Sequence, residues 1–259
     1  MMISLFGKKK LDKRETDDEV KVCDQLDFAA TEAYKLLRTN LLFTLPDATS
    51  KCRIIGITSS VRGEGKSTTS INLSYALAAT GKRVLLIDGD LRLPTVAKKL
   101  KLGTKNKGLS DILITPSLLN EALLAMPTME NWHVLTSGSI PPNPTEMLGS
   151  SQMARLISTF SESYDFIVLD LPPVNIVSDA LVASPLLDGM VIVVRQNFST
   201  RREVSKCEKQ LALSNVKMLG FVVSNVNSGR LTYKYKYKRH SSYSAYEKDG
   251  YSKAAERKQ

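Results

Sequence analysis

The sequence predicts an α/β protein in which a mostly parallel sheet is flanked by helices, and three observations carry that prediction. Short apolar runs, "RIIGITSS", "RVLLIDGD", "WHVLTSG", "YDFIVLDLPP", "GMVIVVR" and "VKMLGFVVSNV", recur along the chain. Helical stretches such as "STTSINLSYALAAT", "SQMARLISTFSES" and "TRREVSKCEKQLALSN" separate them. The strand candidates are apolar throughout instead of alternating, which is the pattern of strands covered on both faces, hence of a parallel sheet between two helical layers. At 259 residues, 42% of them hydrophobic, the chain suits a single domain of this class, which often reaches about 250 residues.

Taken in order, residues 1–28 are polar and charged and read as a flexible segment. "FAATEAYKLLRTNLLF" places Ala33, Leu36, Leu37, Leu41 and Leu42 at helical spacing on one side, with Glu32, Lys35 and Arg38 along the other. A helix over 29–45 follows, and "LPDATSKC" breaks it. The core domain spans 29–228, with no internal repeat, and 229–259 form a tyrosine- and lysine-rich tail. In that tail "LTYKYKYKRHSSYSAY" has the alternation of a half-buried strand. Nothing near it supplies the other wall of a core, so a solvated tail is expected.

"GITSSVRGEGKSTTS" runs from a strand through a glycine-rich loop into a helix. A phosphate loop needs glycines, here Gly63 and Gly65, so that successive N–H groups turn inward around an anion. Lys66 then reaches the β and γ phosphates, Ser67 offers a hydroxyl to Mg²⁺, and Glu64 and Thr68 complete the cradle. In the pattern G-x-x-x-x-G-K-[ST] the first position falls on Ser60 rather than glycine. The competing reading is a glycine turn that only caps a helix. With this string in this context, a P-loop NTPase fold is expected.

Two further strands end in acid. "RVLLIDGDLRLP" brings Asp88 and Asp90 to a carboxyl end, and "YDFIVLDLPP" does the same for Asp170. Ligands of open parallel sheets bind beyond those ends, which puts all three carboxylates where a magnesium nucleotide would sit. Each aspartate alone could equally cap a turn. Magnesium takes one or two protein carboxylates, which leaves one for proton abstraction from an acceptor hydroxyl, a role assigned here to Asp88. The expected metal set is Ser67, Asp88, Asp90 and Asp170.

"GEGKST", "VLLIDGDLR" and "IVLDLPP", in that order, resemble the Walker A, A′ and B motifs of bacterial tyrosine kinases, a deviant-Walker type of P-loop fold. The likeness is greatest to the cytoplasmic kinase subunit of Gram-positive capsule and exopolysaccharide systems. "EAYKLLRTNL" is similar to that family's subunit-contact motif, here Glu32, Lys35 and Arg38, with lysine where the family prefers arginine and so without the planar fork. The resemblance implies an ATP-dependent protein-tyrosine kinase that phosphorylates its own tail in trans within a ring-like homo-oligomer and regulates polysaccharide synthesis and export. It implies Tyr233, Tyr235, Tyr237, Tyr243, Tyr246 and Tyr251 as acceptors, ATP and Mg²⁺ at the site, a membrane-anchored activator of the polysaccharide co-polymerase type, and a cognate tyrosine phosphatase. Asn225 stands where related proteins contact the base, though a turn asparagine fits equally. Arg92 matches the A′ motif, "PTEML" resembles another family motif, and Thr145 reads as a helix cap.

Composition narrows the rest. Cys23, Cys52 and Cys207 are an odd, widely spaced set, which reads as a reducing compartment without a metal cluster. His133 and His240 lack metal-ligand spacing, and Trp132 is expected in or beside a strand. No apolar run is long enough for a signal peptide or a spanning helix, so a cytoplasmic protein held at the inner membrane face by a partner is expected. The net charge of +10, concentrated at the ends, suits an anionic membrane or nucleic acid alike. A nucleic-acid binder using the basic aromatic tail is one rival, but it leaves the nucleotide motifs unexplained, and no nucleic acid is expected. The other is a partitioning or cell-division ATPase switch, whose additional loop lysine is replaced here by Val61.

Overall fold

The computed structural model describes residues 21, 24–45, 52–103, 107–127 and 129–226. The tail tyrosines, Cys23, His240 and most of 1–28 lie outside them. The chain divides into two compact units, Met1–Ser224 and Asn225–Gln259, and the architecture below is that of the first.

In chain order the elements are α1 (Phe28–Thr44), β1 (Arg53–Ser59), α2 (Lys66–Ala78), β2 (Val84–Asp88), α3 (Val96–Lys99), α4 (Leu109–Ile114), α5 (Leu119–Ala122), β3 (Leu123–Met126), β4 (Met129–Leu135), α6 (Pro144–Leu148), α7 (Ser151–Ser163), β5 (Phe166–Asp170), α8 (Asp179–Ala183), β6 (Gly189–Arg195), α9 (Arg201–Leu213) and β7 (Met218–Ser224). The strands form one sheet in the order β3-β4-β2-β5-β1-β6-β7. All neighbours are parallel except β3, which runs antiparallel to β4. The sequence runs anticipate every strand but β3. That strand is only "LLAM", a short edge piece without the long apolar signature of its neighbours.

Successive residues of each strand point to opposite faces and so feed two cores. Val84 and Leu86 of β2, with Ile55, Ile57, Phe166 and Val168, pack beneath α1, α2 and α3. Leu85 and Ile87, with Ile167, Leu169 and Ile192, pack against α4, α7, α8 and α9. Trp132 is fully buried within β4 and meets Tyr75 of α2 edge to face at 5.5 Å. Cys52 and Cys207 are buried thiols that no disulfide joins. Burial pushes them up to about 11 and about 12, the values of inert packing groups.

Helix α1 forms as expected, with Asp27 accepting the Ala30 N–H at 2.8 Å as its N-cap. The face it buries is rotated from the expected one. Leu37 and Leu41 turn inward with Leu45, whereas Ala33, Leu36 and Leu42 face outward, Leu36 being 61% exposed. In this orientation Arg38 turns inward as well, and its Nη1 donates to the Ala76 carbonyl of α2 at 2.9 Å. Among the described residues no helix is long and apolar enough to cross a membrane.

Behind β2, α4 joins the carboxyl end of β4 through a close backbone contact. A Cβ on Gly108 would lie 2.2 Å from the Gly138 nitrogen and 2.4 Å from the Thr136 carbonyl oxygen. Both are backbone atoms and cannot rotate away. Gly108→Ala is therefore expected to lower the unfolding free energy by about 2 kcal/mol or more. Urea denaturation should show a lower midpoint at unchanged slope, and an unchanged midpoint would mean that this junction yields freely.

Candidate active site

The P-loop leaves β1 between β5 and β6 and ends at the first residue of α2. Gly63 and Gly65 take φ of 83° and 92°, left-handed values that glycine adopts without strain, and Gly65 is the N-cap of α2. Helix α2 carries no acidic residue in its first turn, so its partial positive end faces the loop undiluted. Ser67 is almost wholly buried, and Thr68 is half-buried in the first turn.

Strand register assembles the acids. Asp88 and Asp170 are register partners at the carboxyl ends of the adjacent parallel strands β2 and β5, and both are fully buried. Lys66 reaches across from the P-loop, its Nζ 2.8 Å from Asp90 Oδ2 and 3.6 Å from Asp170 Oδ2. Ser70, one turn into α2, donates to Asp170 Oδ1 at 3.1 Å. Asp88 accepts the backbone N–H groups of Asp90 and Val96 at 3.2 and 3.1 Å, while Asp90 Oδ1 accepts that of Leu93 at 3.1 Å. The loop and strand ends named from sequence therefore converge around one ammonium group.

Crowding of charge in a dry site shifts these groups strongly. Burial acts to lower the Lys66 pKa, but Asp170 and Asp90 outweigh it and hold the ammonium above its ordinary range. Asp88 is pushed up to about 8, by burial and then by the charge of Asp170, against the pull of Lys66 and the Val96 N–H. Asp170 is also raised, by burial first, with Lys66 and the Ser67 and Ser70 hydroxyls drawing it back.

The four residues expected to hold Mg²⁺ divide into two groups. The oxygens of Asp88 and Asp90 are engaged by backbone N–H groups and by Lys66. Asp170 Oδ2 is buried and accepts no hydrogen bond. The Ser67 hydroxyl acts on the same carboxylate. One hydroxyl and one carboxylate oxygen, with phosphate oxygens and water, fit the habit of Mg²⁺ at nucleotide sites. Among the described residues no three His, Cys, Asp or Glu side chains gather into a metal cage, and His133 lies in β4.

Other residues named from sequence fall in different places. The Ser60 hydroxyl and the Glu64 carboxylate turn toward each other at 2.9 Å, and both residues are fully buried, so neither side chain lines the cradle; Glu64 offers phosphate only its backbone. Thr145 does not cap α6. The N-cap is Asn143, and the Thr145 hydroxyl donates to Asp179 Oδ1 at 2.6 Å while accepting from Arg92 Nη2 at 2.9 Å. Arg92 forks onto Asp179 at 2.8 and 3.1 Å, which ties the loop after β2 to α6 and α8. No local pattern in the sequence announces that triad. Glu32 and Lys35 pair with each other at 2.8 Å on the exposed side of α1. Asn225 opens the second unit with φ of 53°, a left-handed conformation that asparagine tolerates.

The raised pKa of Asp88 has a sign that unfolding can read. In the unfolded chain this carboxyl ionises near its ordinary 3.8, and in the folded protein only near about 8. The folded state therefore binds the additional proton inside that window, and the group subtracts stability as pH rises through it. Asp88→Asn cannot ionise. Whatever stability the substitution costs at pH 4 is expected to shrink steadily toward pH 8 in nucleotide-free urea titrations, and a difference independent of pH would place the proton elsewhere.

Comparison with known proteins gives consistent results. A family described as an AAA domain matches residues 52–217. The tyrosine-protein kinase YwqD of Bacillus subtilis (strain 168) is 37% identical over 83% of this chain and 86% of its own length. The putative tyrosine-protein kinase CapB of Staphylococcus aureus is 33% identical over 83% of this chain and 92% of its own. Among solved structures, the kinase domain of the Escherichia coli tyrosine kinase ETK superposes with a TM-score of 0.73 at 28% identity, covering 83% of this chain and 84% of that one. The AAA-domain match takes in the P-loop, Asp88, Asp90 and Asp170 together, and relatives sharing about a third of their residues over most of the chain carry tyrosine-protein kinase in their names. The chain belongs to the bacterial tyrosine-protein kinase family.

Proposed function

We propose that this protein transfers the γ-phosphoryl group of ATP to tyrosine hydroxyls, including those of its own carboxyl-terminal segment. The observation that carries the reading is the convergence of Lys66 with Asp88, Asp90 and Asp170 at the mouth of a P-loop. Phosphoryl transfer asks little covalent chemistry of a protein and much positioning and charge compensation, and this cluster supplies both.

In this reading the N–H groups of Gly63 through Thr68 and the start of α2 receive the β and γ phosphates. The Lys66 ammonium, now on Asp90, moves onto phosphate oxygens as nucleotide enters. Ser67 and Asp170 hold Mg²⁺, which when bound neutralises charge on the β and γ phosphates. Asp88 accepts the tyrosine proton, for which it must first lose its own.

The acceptors are Tyr233, Tyr235, Tyr237, Tyr243, Tyr246 and Tyr251, reached from a neighbouring subunit of a ring-like oligomer that uses Glu32, Lys35 and Arg38 of α1. Each phosphate adds about −1.5 to −2 charges to a basic segment, enough to reverse its sign and alter assembly. By likeness to the family, the protein works at the inner membrane face beside a membrane-anchored activator of the polysaccharide co-polymerase type. A cognate tyrosine phosphatase reverses the modification, and the process regulated is capsule or exopolysaccharide synthesis and export.

Incubation of the purified protein with Mg-ATP, followed by a mass-spectrometric map, is expected to find phosphate on those tyrosines. Hydrolysis without phosphotyrosine would instead make the protein an ATPase switch, and neither product would leave a binding module. Asp88→Asn is expected to slow tyrosine phosphorylation by about 100-fold or more while Mg-ATP still binds. The parent rate should fall as acid returns the Asp88 proton. Undiminished transfer in Asp88→Asn removes that residue as the base.

A further inference from the structure

A carboxylate inside a phosphate loop is electrostatically out of place, and Glu64 lies between the two left-handed glycines. Its side chain is turned away from the cradle and is fully buried. Glu64 Oε2 accepts the Ser60 hydroxyl at 2.9 Å and the Val61 N–H at 2.8 Å, so it ties the end of the loop back to its beginning. Its other oxygen accepts the hydroxyl of Ser199, in the segment between β6 and α9.

The backbone around Glu64 is gripped from the same side. Ser224, the last residue of β7, donates to the Glu64 carbonyl at 2.5 Å. Arg195 Nη1 donates to the Gly63 carbonyl at 3.3 Å and stacks on Phe198 at 5.3 Å. A Cβ on Gly63 would meet that same ring at 3.4 Å. These supports all come from the β6 and β7 side of the sheet, whereas the three aspartates come from the ends of β2 and β5 and the loop that follows β2.

We infer that Glu64 is a positioning residue. Its carboxylate sets the curvature of the phosphate loop and locks it to the β6–α9 segment through Ser199, so that the N–H groups are aimed before nucleotide arrives. Groups fixed in advance lose less entropy on binding, and the gain appears as nucleotide affinity. The inference rests on the nucleotide reading above and adds a residue whose side chain acts through other groups. Glutamine can reproduce the contacts, its oxygen facing Ser60 and Val61 and its amide donating to Ser199, whereas alanine reproduces none.

The test is the dissociation constant of Mg-ADP for the full chain, with KM for ATP and kcat for tyrosine phosphorylation. Glu64→Ala is expected to weaken Mg-ADP by about 10-fold, and Ser199→Ala, which changes no loop residue, by about 3-fold. The loss should fall in KM for ATP rather than in kcat. Glu64→Gln should restore most of what alanine removes. Parent-like affinity in both Glu64→Ala and Ser199→Ala overturns the inference, and so does Glu64→Gln falling as far as alanine, since charge rather than shape would then be at work. If the parent chain itself does not bind Mg-ADP, the nucleotide reading fails first and takes this inference with it.

Discussion

One ammonium group stands among three carboxylates that the sheet cannot avoid bringing together. Parallel register sets the last residues of β2 and β5 side by side, so Asp88 must face Asp170, and the P-loop lowers Lys66 between them and Asp90. Two unit charges about 4 Å apart attract by about 4 kcal/mol near a protein surface, comparable with the several kcal/mol that an ion loses on leaving water. Lys66 can thus sustain the two carboxylates it approaches most closely. The third, Asp88, has its pKa pushed up to about 8, by burial first and then by the charge of Asp170.

The sheet divides the labour of the site about β1. The β2 and β5 side supplies the acids and the Arg92–Asp179–Thr145 triad that fixes the loop following Asp90. The β6 and β7 side supplies the hydroxyls and the arginine that shape the P-loop from behind. Chemistry on one flank and rigidity on the other let the carboxylates be strained electrostatically while the backbone around them stays anchored. Buried polar groups of this kind are tolerated because nearly every one is hydrogen-bonded.

What was legible in the sequence was local. A P-loop, a strand running into Asp-Gly-Asp and a strand ending in Leu-Asp are each written in one short stretch, because backbone conformation and a few side chains suffice to make them. The apolar runs revealed the buried parallel strands for the same reason. Long-range choices were not legible. Which stripe of α1 turns inward depends on partners far along the chain, the core that takes Leu41 and Leu45 and the Ala76 carbonyl that Arg38 reaches. Thr145 looked like a cap until Asp179 and Arg92 claimed its hydroxyl. Glu64 looked like part of a phosphate cradle, and its direction is set by Ser199, which no spacing rule connects to it. The edge strand β3 escaped because a four-residue antiparallel piece carries too little pattern.

The central place of β1 bears on how the chain is made. A ribosome releases "IIGIT" well before Phe166–Asp170 and Gly189–Arg195, the two segments that flank it, have been synthesised. An apolar strand waiting for distant partners pairs slowly and stays open to wrong contacts meanwhile. The triphosphate cradle needs both flanks and the end of β7, so the nascent polypeptide acquires it only when nearly all of the domain has emerged. Interrupted translation products would therefore carry the complete phosphate-loop motif and none of its shape.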